Sequence, residues 1–342
     1  HSAMASAEAR RLCPQAIWTH GHFDRYREVS AQVMAILADE TPRVERVSID
    51  EAFIDITPGR FAPEDPLLVA RRISDRVAAL GVTCSIGVGC NKTVAKIASE
   101  RDKPFGLTIV RPGTEQRFLA ALPVTAMSGI GRSAEERLRR MRIYTLGELS
   151  RAPKSTLTSI FGVNGERMRQ RALGLEISEV TSLDEEREVK SVSNERTFAK
   201  DLTERGDIEA AIALLGESVG RRLRRQGLTG GTVTLKLKYS YGSGRSAQRR
   251  LPHPTDDENI FVAVALELLD NIWQEGMHVR LAGIGMSDFD HQGGIQTDLF
   301  CEVDDRGAQS SDRRDLSVAI DAVRDKFGDT ALSFGRQSRF ND

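Results

Sequence analysis

Residues 47–55 read VSIDEAFID. Val47, Ile49, Ala52, Phe53 and Ile54 suit a strand in a core, yet Asp50 and Glu51 stand side by side among them. An ionised carboxylate in a core is costly unless it is paired or holds a metal. On one continuous strand adjacent side chains point to opposite faces, so neighbouring acids could not serve one site. A hairpin removes the conflict. With ERVSI and AFIDI as its arms, both acids fall at the tip and can converge. Paired carboxylates at a strand end suit magnesium, which takes hard oxygen ligands and keeps waters and substrate phosphates. Two such ions about 3.5–4 Å apart clamp the attacking and leaving oxygens of a phosphoryl transfer. For these residues taken alone, a surface hairpin with a merely charged tip is the plainer alternative.

The flanking sequence reads as an α/β or α+β layer. FDRYREVSAQVMAILAD carries Tyr26, Val29, Val33, Met34 and Leu37 at helical spacing, and LLVARRISDRVAAL is a second helix. VTCSIGVGC is a strand, NKTVAKIASERDK a helix that Asn91 can cap, and GLTIV another strand. From Pro123 the texture changes to short helices with glycine-bearing turns, including Gly-Ile-Gly at 129–131. SEVTSLDEEREVK, 178–190, has no apolar period and reads as a linker. Beyond it the order of elements is β-α-β-β-α-β, a split α+β domain. A polar segment from Asp290 and one helix at about 313–327 follow.

At 342 residues the chain predicts two or three domains. It contains no apolar run long enough to span a bilayer and no secretory h-region, so a cytoplasmic location is the default. Four scattered cysteines without a CxxC pair predict isolated buried thiols rather than a zinc site or disulfide framework. The net charge of −1 conceals an asymmetry. Residues 123–175 hold ten Arg/Lys against four Asp/Glu, residues 187–251 fourteen against seven, and residues 287–342 seven against twelve. Two basic blocks followed by an acidic tail fit a polyanionic partner.

Two further features are weak singly. Lys103 precedes Pro104 at a helix end, where an ammonium can reach a phosphate but where Lys-Pro is also an ordinary helix stop. The glycines at 129–131 let backbone amides approach a phosphate, though a tight αα-turn needs glycine anyway. Together the motifs are specific. VSIDEAFIDIT, CSIGVGCNKTVAKIASERDKPFG, MSGIGRSAEERLRRMRIYTLGEL, KSVSNERTF and QTDLF, in that order, resemble the Y-family translesion DNA polymerases, the bacterial DNA polymerase IV (DinB/UmuC-like) branch above all. The likeness covers nearly the whole chain.

The resemblance implies an α+β, multidomain fold. It has a partial polymerase palm (a mixed sheet with helices) over 1–121 and an all-helical thumb with a helix-hairpin-helix turn over 122–177. A linker at 178–190 leads to a split β-α-β-β-α-β little finger over 191–290, and a C-terminal tail occupies 291–342. Asp50 and Glu51 then match the palm acids that hold two Mg2+ ions, with Ser48 near the primer terminus. Lys103 matches the lysine on the nucleotide triphosphate, and Gly129, Ile130 and Gly131 match the turn that grips DNA phosphates. Lys190, Arg196, Lys236, Lys238, Arg249 and Arg250 are candidate phosphate contacts of the little finger, and such contacts position a duplex without reading its sequence. Gln296, Leu299 and Phe300 resemble the peptide that docks on the bacterial sliding clamp (beta clamp). The implied partners are primer-template DNA, deoxynucleoside triphosphates and the clamp, for a monomer with no membrane association.

The start departs from the family. Members begin with a strand bearing another catalytic aspartate, followed by fingers, and no acid upstream of Asp50 fits that strand. The expectation is therefore a fragment with His1 internal to a longer protein, inactive in synthesis but able to bind DNA. A catalytically silent, polymerase-like adaptor for DNA and clamp is the alternative, and retention of Asp50 and Glu51 speaks against it. An unrelated metal-dependent nuclease would leave the other motifs unexplained.

Overall fold

The computed structural model describes residues 4–59, 64–182, 185, 188–289, 306–328 and 331–332. The chain forms two compact units, 1–186 and 187–342.

In the first unit, α1 (Ser6–Leu12) and α2 (Phe23–Glu40) precede the hairpin foreseen at residues 45–56. β1 (Val44–Arg46) pairs antiparallel with β2 (Ala52–Ile54) in the register Val44↔Ile54, Glu45↔Phe53 and Arg46↔Ala52. α3 (Pro66–Ala79) starts at Asp65, whose carboxylate accepts the Leu67 amide at 2.8 Å, with proline at the first helical position. Val69, Ile73 and Val77 of α3 bury against Ile36 of α2. β3 (Ile86–Val88) and β4 (Leu107–Ile109) are parallel, which requires a crossover. α4 (Lys92–Arg101) supplies it, capped by the Asn91 side chain on the Val94 amide. Instead of the one mixed sheet expected, the described residues of this unit form two separate three-residue ladders, one antiparallel and one parallel.

Five short helices follow: α5 (Glu115–Ala120), α6 (Arg132–Arg140), α7 (Leu146–Arg151), α8 (Lys154–Phe161) and α9 (Gly165–Leu173). Their core includes Leu119, Leu138, Leu146, Leu149 and Leu157, and it continues into Val94, Ile97 and Ala98 of α4. The expected boundary at 121/122 is crossed by one continuous core. The segment after α9 is held by the Thr181 amide on Glu45 and by an Arg43–Glu185 ion pair at 2.7 Å.

The second unit follows the predicted order: β5 (Ser191–Leu202), α10 (Arg205–Gln226), β6 (Gly230–Tyr239), β7 (Gly244–Thr255), α11 (Glu258–Ile272) and β8 (Val279–Phe289). The sheet is antiparallel with order β5-β8-β6-β7. Val233, Leu235, Leu237, Ile284 and Met286 face α10 and α11, where Phe261, Leu215 and Val219 complete the core. Pro252 and Pro254 lie on β7, an edge strand, where a missing donor is tolerated. The expected buried thiols are a correction: Cys13 and Cys90 are exposed. Among the described residues no helix is long and apolar enough to cross a membrane.

The last helix, α12 (Arg306–Phe327), begins earlier than the expected 313. Charge docks it on α10: Asp321 pairs with Arg224 at 2.7 Å, Asp325 with Arg221 at 2.7 Å and with Arg225, and Arg324 with Glu217. The Glu217 and Arg324 side chains are only 11% and 7% exposed. Removing one member of such a pair costs about 3–5 kcal/mol, whereas an apolar pair of similar volume is close to neutral. Arg324→Ala should therefore lower the thermal midpoint, and Glu217→Leu combined with Arg324→Met should recover most of it. Equal melting of Arg324→Ala and the parent would mean that α12 does not dock through this pair.

Candidate active site and nucleic-acid interface

Asp50 and Glu51 lie on neither strand. They close the five-residue tip Val47–Glu51, where the Glu51 carbonyl accepts the Val47 amide at 2.9 Å and the Ser48 amide at 3.1 Å. The alternation that would separate adjacent acids does not apply in this turn, and Asp50 is exposed rather than buried. Ser48 donates its hydroxyl to Asp50 Oδ1 at 2.6 Å. Ser30, buried on α2, donates to the Ile49 carbonyl at 2.5 Å, and Arg46 Nε donates to the Ser48 carbonyl at 3.2 Å. Backbone anchors on both sides therefore fix the tip.

α4 lies beside the hairpin and supplies its cations. Lys96 Nζ sits 2.8 Å from Glu51 Oε2 and 3.2 Å from Glu100 Oε1, and Glu100 Oε1 is 2.7 Å from Lys103 Nζ. Glu51 and Lys103 are thus the two ends of one chain of alternating charge. Lys92 pairs with Glu45 on β1 and lies 6.0 Å from the centre of the Phe53 ring. Lys96 and Glu100 were not foreseen. Their i, i+4 spacing on α4 is visible in the sequence, but the partner across the hairpin is not. Among the described residues, no three His, Cys, Asp or Glu side chains cluster as a metal site. Asp50 and Glu51 are hard oxygen donors of the kind magnesium takes, so they fit as part of such a site.

At the Gly-Ile-Gly turn, Gly129 has φ +94°, a conformation that favours glycine. Ile130 is 7% exposed and its amide donates to the Met127 carbonyl at 3.2 Å, so this residue anchors the turn in the core. Gly131 is the N-cap of α6, with no side-chain cap. The first amides of that helix have no intrahelical acceptor.

The six candidate cations of the second unit do not share a face. On β6, Lys236 and Lys238 alternate with the buried Leu235 and Leu237, and therefore lie on the sheet face away from the helices. Arg250 is opposite Thr232 on that same open face. Lys190 is exposed just before β5. Arg196 and Arg249 belong to the other face. Arg196 pairs in register with buried Ala282 and lies over the Phe198 ring, and Arg249 pairs with Glu267 of α11. Gln296, Leu299 and Phe300 lie outside the described residues.

Protonation sets how firmly the charge chain holds. The Lys103 hydrogen bond, aided by Lys96, keeps the Glu100 carboxyl below its ordinary 4.5 against the opposing effect of burial. Burial pulls the Lys96 ammonium down, but its bonds to Glu51 and Glu100 win and raise it. A carboxylate held low contributes stability that is present above its unfolded value and is lost as pH falls through the folded one. Glu100→Gln should therefore flatten the acid limb of thermal stability below about pH 4.5. Melting curves from about pH 6 to about pH 3 check this. Parallel acid limbs in both proteins would exclude the pairing.

Comparison with known proteins places these features in a family. The model of the impB/mucB/samB family matches residues 1–100, and the C-terminal domain model of that family matches residues 189–299. DNA polymerase IV of Lactococcus lactis subsp. cremoris is 36% identical over 291 residues, 84% of this chain and 79% of that protein. DNA polymerase IV of Dehalococcoides mccartyi is 33% identical over 344 residues, 100% of this chain and 85% of that protein. Among solved structures, a Y-family DNA polymerase chimera of Dbh and Dpo4 superposes with a TM-score of 0.71 at 23% identity, over 83% of this chain and 81% of that one. The insertion ternary complex of Dbh DNA polymerase gives 0.53 at 23% identity, over 84% and 83%. At that identity the superpositions speak for the fold, and the sequence relatives for the family. The chain belongs to the Y-family, DinB-like DNA-directed DNA polymerases.

Proposed function

We propose that residues 1–342 carry part of a translesion polymerase that acts in damage tolerance by two-metal nucleotidyl transfer. In this reading Asp50 and Glu51 are its palm acids, and primer-template DNA and deoxynucleoside triphosphates are its partners. The observation that carries the proposal is the charge chain from Glu51 through Lys96 and Glu100 to Lys103. It links the acids expected at the metals to the lysine expected at the triphosphate. Mg2+ ions bound there would neutralise the charge developing on the transferred phosphate. In the same reading residues 1–121 act as palm, 122–177 as thumb and 191–290 as little finger, joined by 178–190. Gln296, Leu299 and Phe300 in the tail dock on the sliding clamp.

Within these residues the two acids at the tip lack the further aspartate that the family resemblance implies. We infer that this polypeptide binds duplex without extending it. A catalytically silent adaptor would bind in the same way, and the paired acids favour the polymerase. Asp50→Ala in the protein carrying the further aspartate should abolish primer extension and spare duplex binding. Normal extension by that variant would sink the assignment.

The open sheet face gives a second test. Each phosphate neutralised contributes about 0.9 to the slope of log affinity against log salt. Lys238→Ala with Arg250→Ala should reduce the slope by about 1.8 in fluorescence anisotropy with a short duplex. Arg196→Ala with Arg249→Ala, on the helix face, should leave it unchanged. The reverse pattern would place the duplex on the other face.

A further inference from the structure

Arg171 of α9 is embedded in a junction that the motifs do not reveal. Its Nη1 donates to the Ser128 carbonyl at 2.9 Å and its Nη2 to the Ser128 hydroxyl at 2.8 Å. Its Nε donates to the Thr93 hydroxyl at 2.8 Å, and that hydroxyl donates to Glu176 Oε2 at 2.5 Å. Glu176 Oε1 lies 3.6 Å from Arg171 Nε and supplies the counter-charge. The Arg171 and Glu176 side chains are 15% and 8% exposed. Burial lowers the Arg171 pKa, and neighbouring Arg167 adds to this. A buried cation is retained only where its donors are matched. Here the matches lie on three separate segments: the residue before Gly129, the first turn of α4 and the segment that follows α9. Beside them Asn91 Nδ2 donates to the Gly174 carbonyl at 2.7 Å, a second tie between α4 and the end of α9.

We propose that Arg171 is the positioning residue that holds the 128–131 turn against α4, so that the DNA-gripping turn and the helix that pairs with Glu51 move as one body. The proposal rests on the reading that this turn binds DNA phosphates. Arg171 itself touches no DNA in it. The planar guanidinium is what the geometry requires, because its donors leave in fixed, divergent directions toward Ser128 and Thr93. A lysine ammonium reaches one of the two. The rest of α4 completes the linkage, since Thr93 holds Arg171 one turn before Lys96 holds Glu51.

The test is a double-mutant cycle on duplex affinity, read by anisotropy together with its salt dependence and a thermal melt. Gly129→Ala deforms the turn, because φ +94° is strained for any other residue. Arg171→Ala should weaken binding by about tenfold, Arg171→Lys should not restore it, and the double variant should bind no worse than the weaker single. The salt slope should stay that of the parent. A slope reduced by about 0.9 would make Arg171 a direct phosphate contact and overturn the positioning role. Multiplying losses in the cycle, or unchanged affinity in Arg171→Ala, would overturn it equally. Where Arg171→Ala melts below the assay temperature, Ser128→Ala keeps the guanidinium in place and removes one bond. It should lose about threefold, again without adding to Gly129→Ala. A parent protein that does not bind duplex at all would overturn the DNA reading itself, and this inference with it.

Discussion

The close approach of α4 to β3 is the constraint on which the first unit depends. A Cβ at Gly87 would fall onto the Ala95 carbonyl and the Ser99 amide, and one at Gly89 would stand 2.6 Å from Val94 Cγ1. Gly106 is equally closed, against the Asp102 backbone. Only a strand without side chains at these points lets the helix backbone lie directly on it. That proximity buries Val94, Ile97 and Ala98 in the core shared with α5–α9. It also leaves Lys92, Thr93 and Lys96 facing Glu45, Arg171 and Glu51. One helix thereby sets the distances among the hairpin, the helical bundle and the charge chain.

The cost of two adjacent acids is avoided by exposure and pairing. Lys96 and Glu51 are 28% and 31% exposed, and pairs of that kind contribute about 0–1 kcal/mol. Such a pair holds a geometry more than it holds the fold together. In the proposed two-metal reading, that weakness would let the Glu51 carboxylate exchange the ammonium for a magnesium ion. Buried pairs such as Arg324 with Glu217 play the opposite part, because their loss leaves a charge stranded in the interior.

Much of this was legible in the sequence. The arms ERVSI and AFIDI, the Asn91 cap and the β-α-β-β-α-β order follow from alternation, capping and period. The faces of the cations were legible as well: Arg196 shares parity with Val192 and Phe198, and Arg249 with Leu251, all of which are buried. Grouping them with Lys236 and Lys238 followed charge and overlooked parity. Lys96, Ser30 and Arg171 were hidden for a different reason. Each acts on a segment brought near only by tertiary packing, and no local spacing encodes that partner. The helix at about 313–327 was legible, but the first turns of α12 escaped because they are polar, and its docking runs through aspartates that pair with arginines distant in sequence.

The open sheet face shows how glycine shapes electrostatics as well as packing. Glu195 on β5 and Lys236 on β6 pair at 2.7 Å although β8 runs between them. Both flank Gly283 in register, and a Cβ there would stand 2.6 Å from Glu195 Cγ. The glycine therefore lets a salt bridge close flat across the central strand, and Gly285 next to it adds no bulk. The outcome is a shallow, small-residue face whose cations differ: Lys236 is partly neutralised by Glu195, whereas Lys238 and Arg250 project further toward the strand ends.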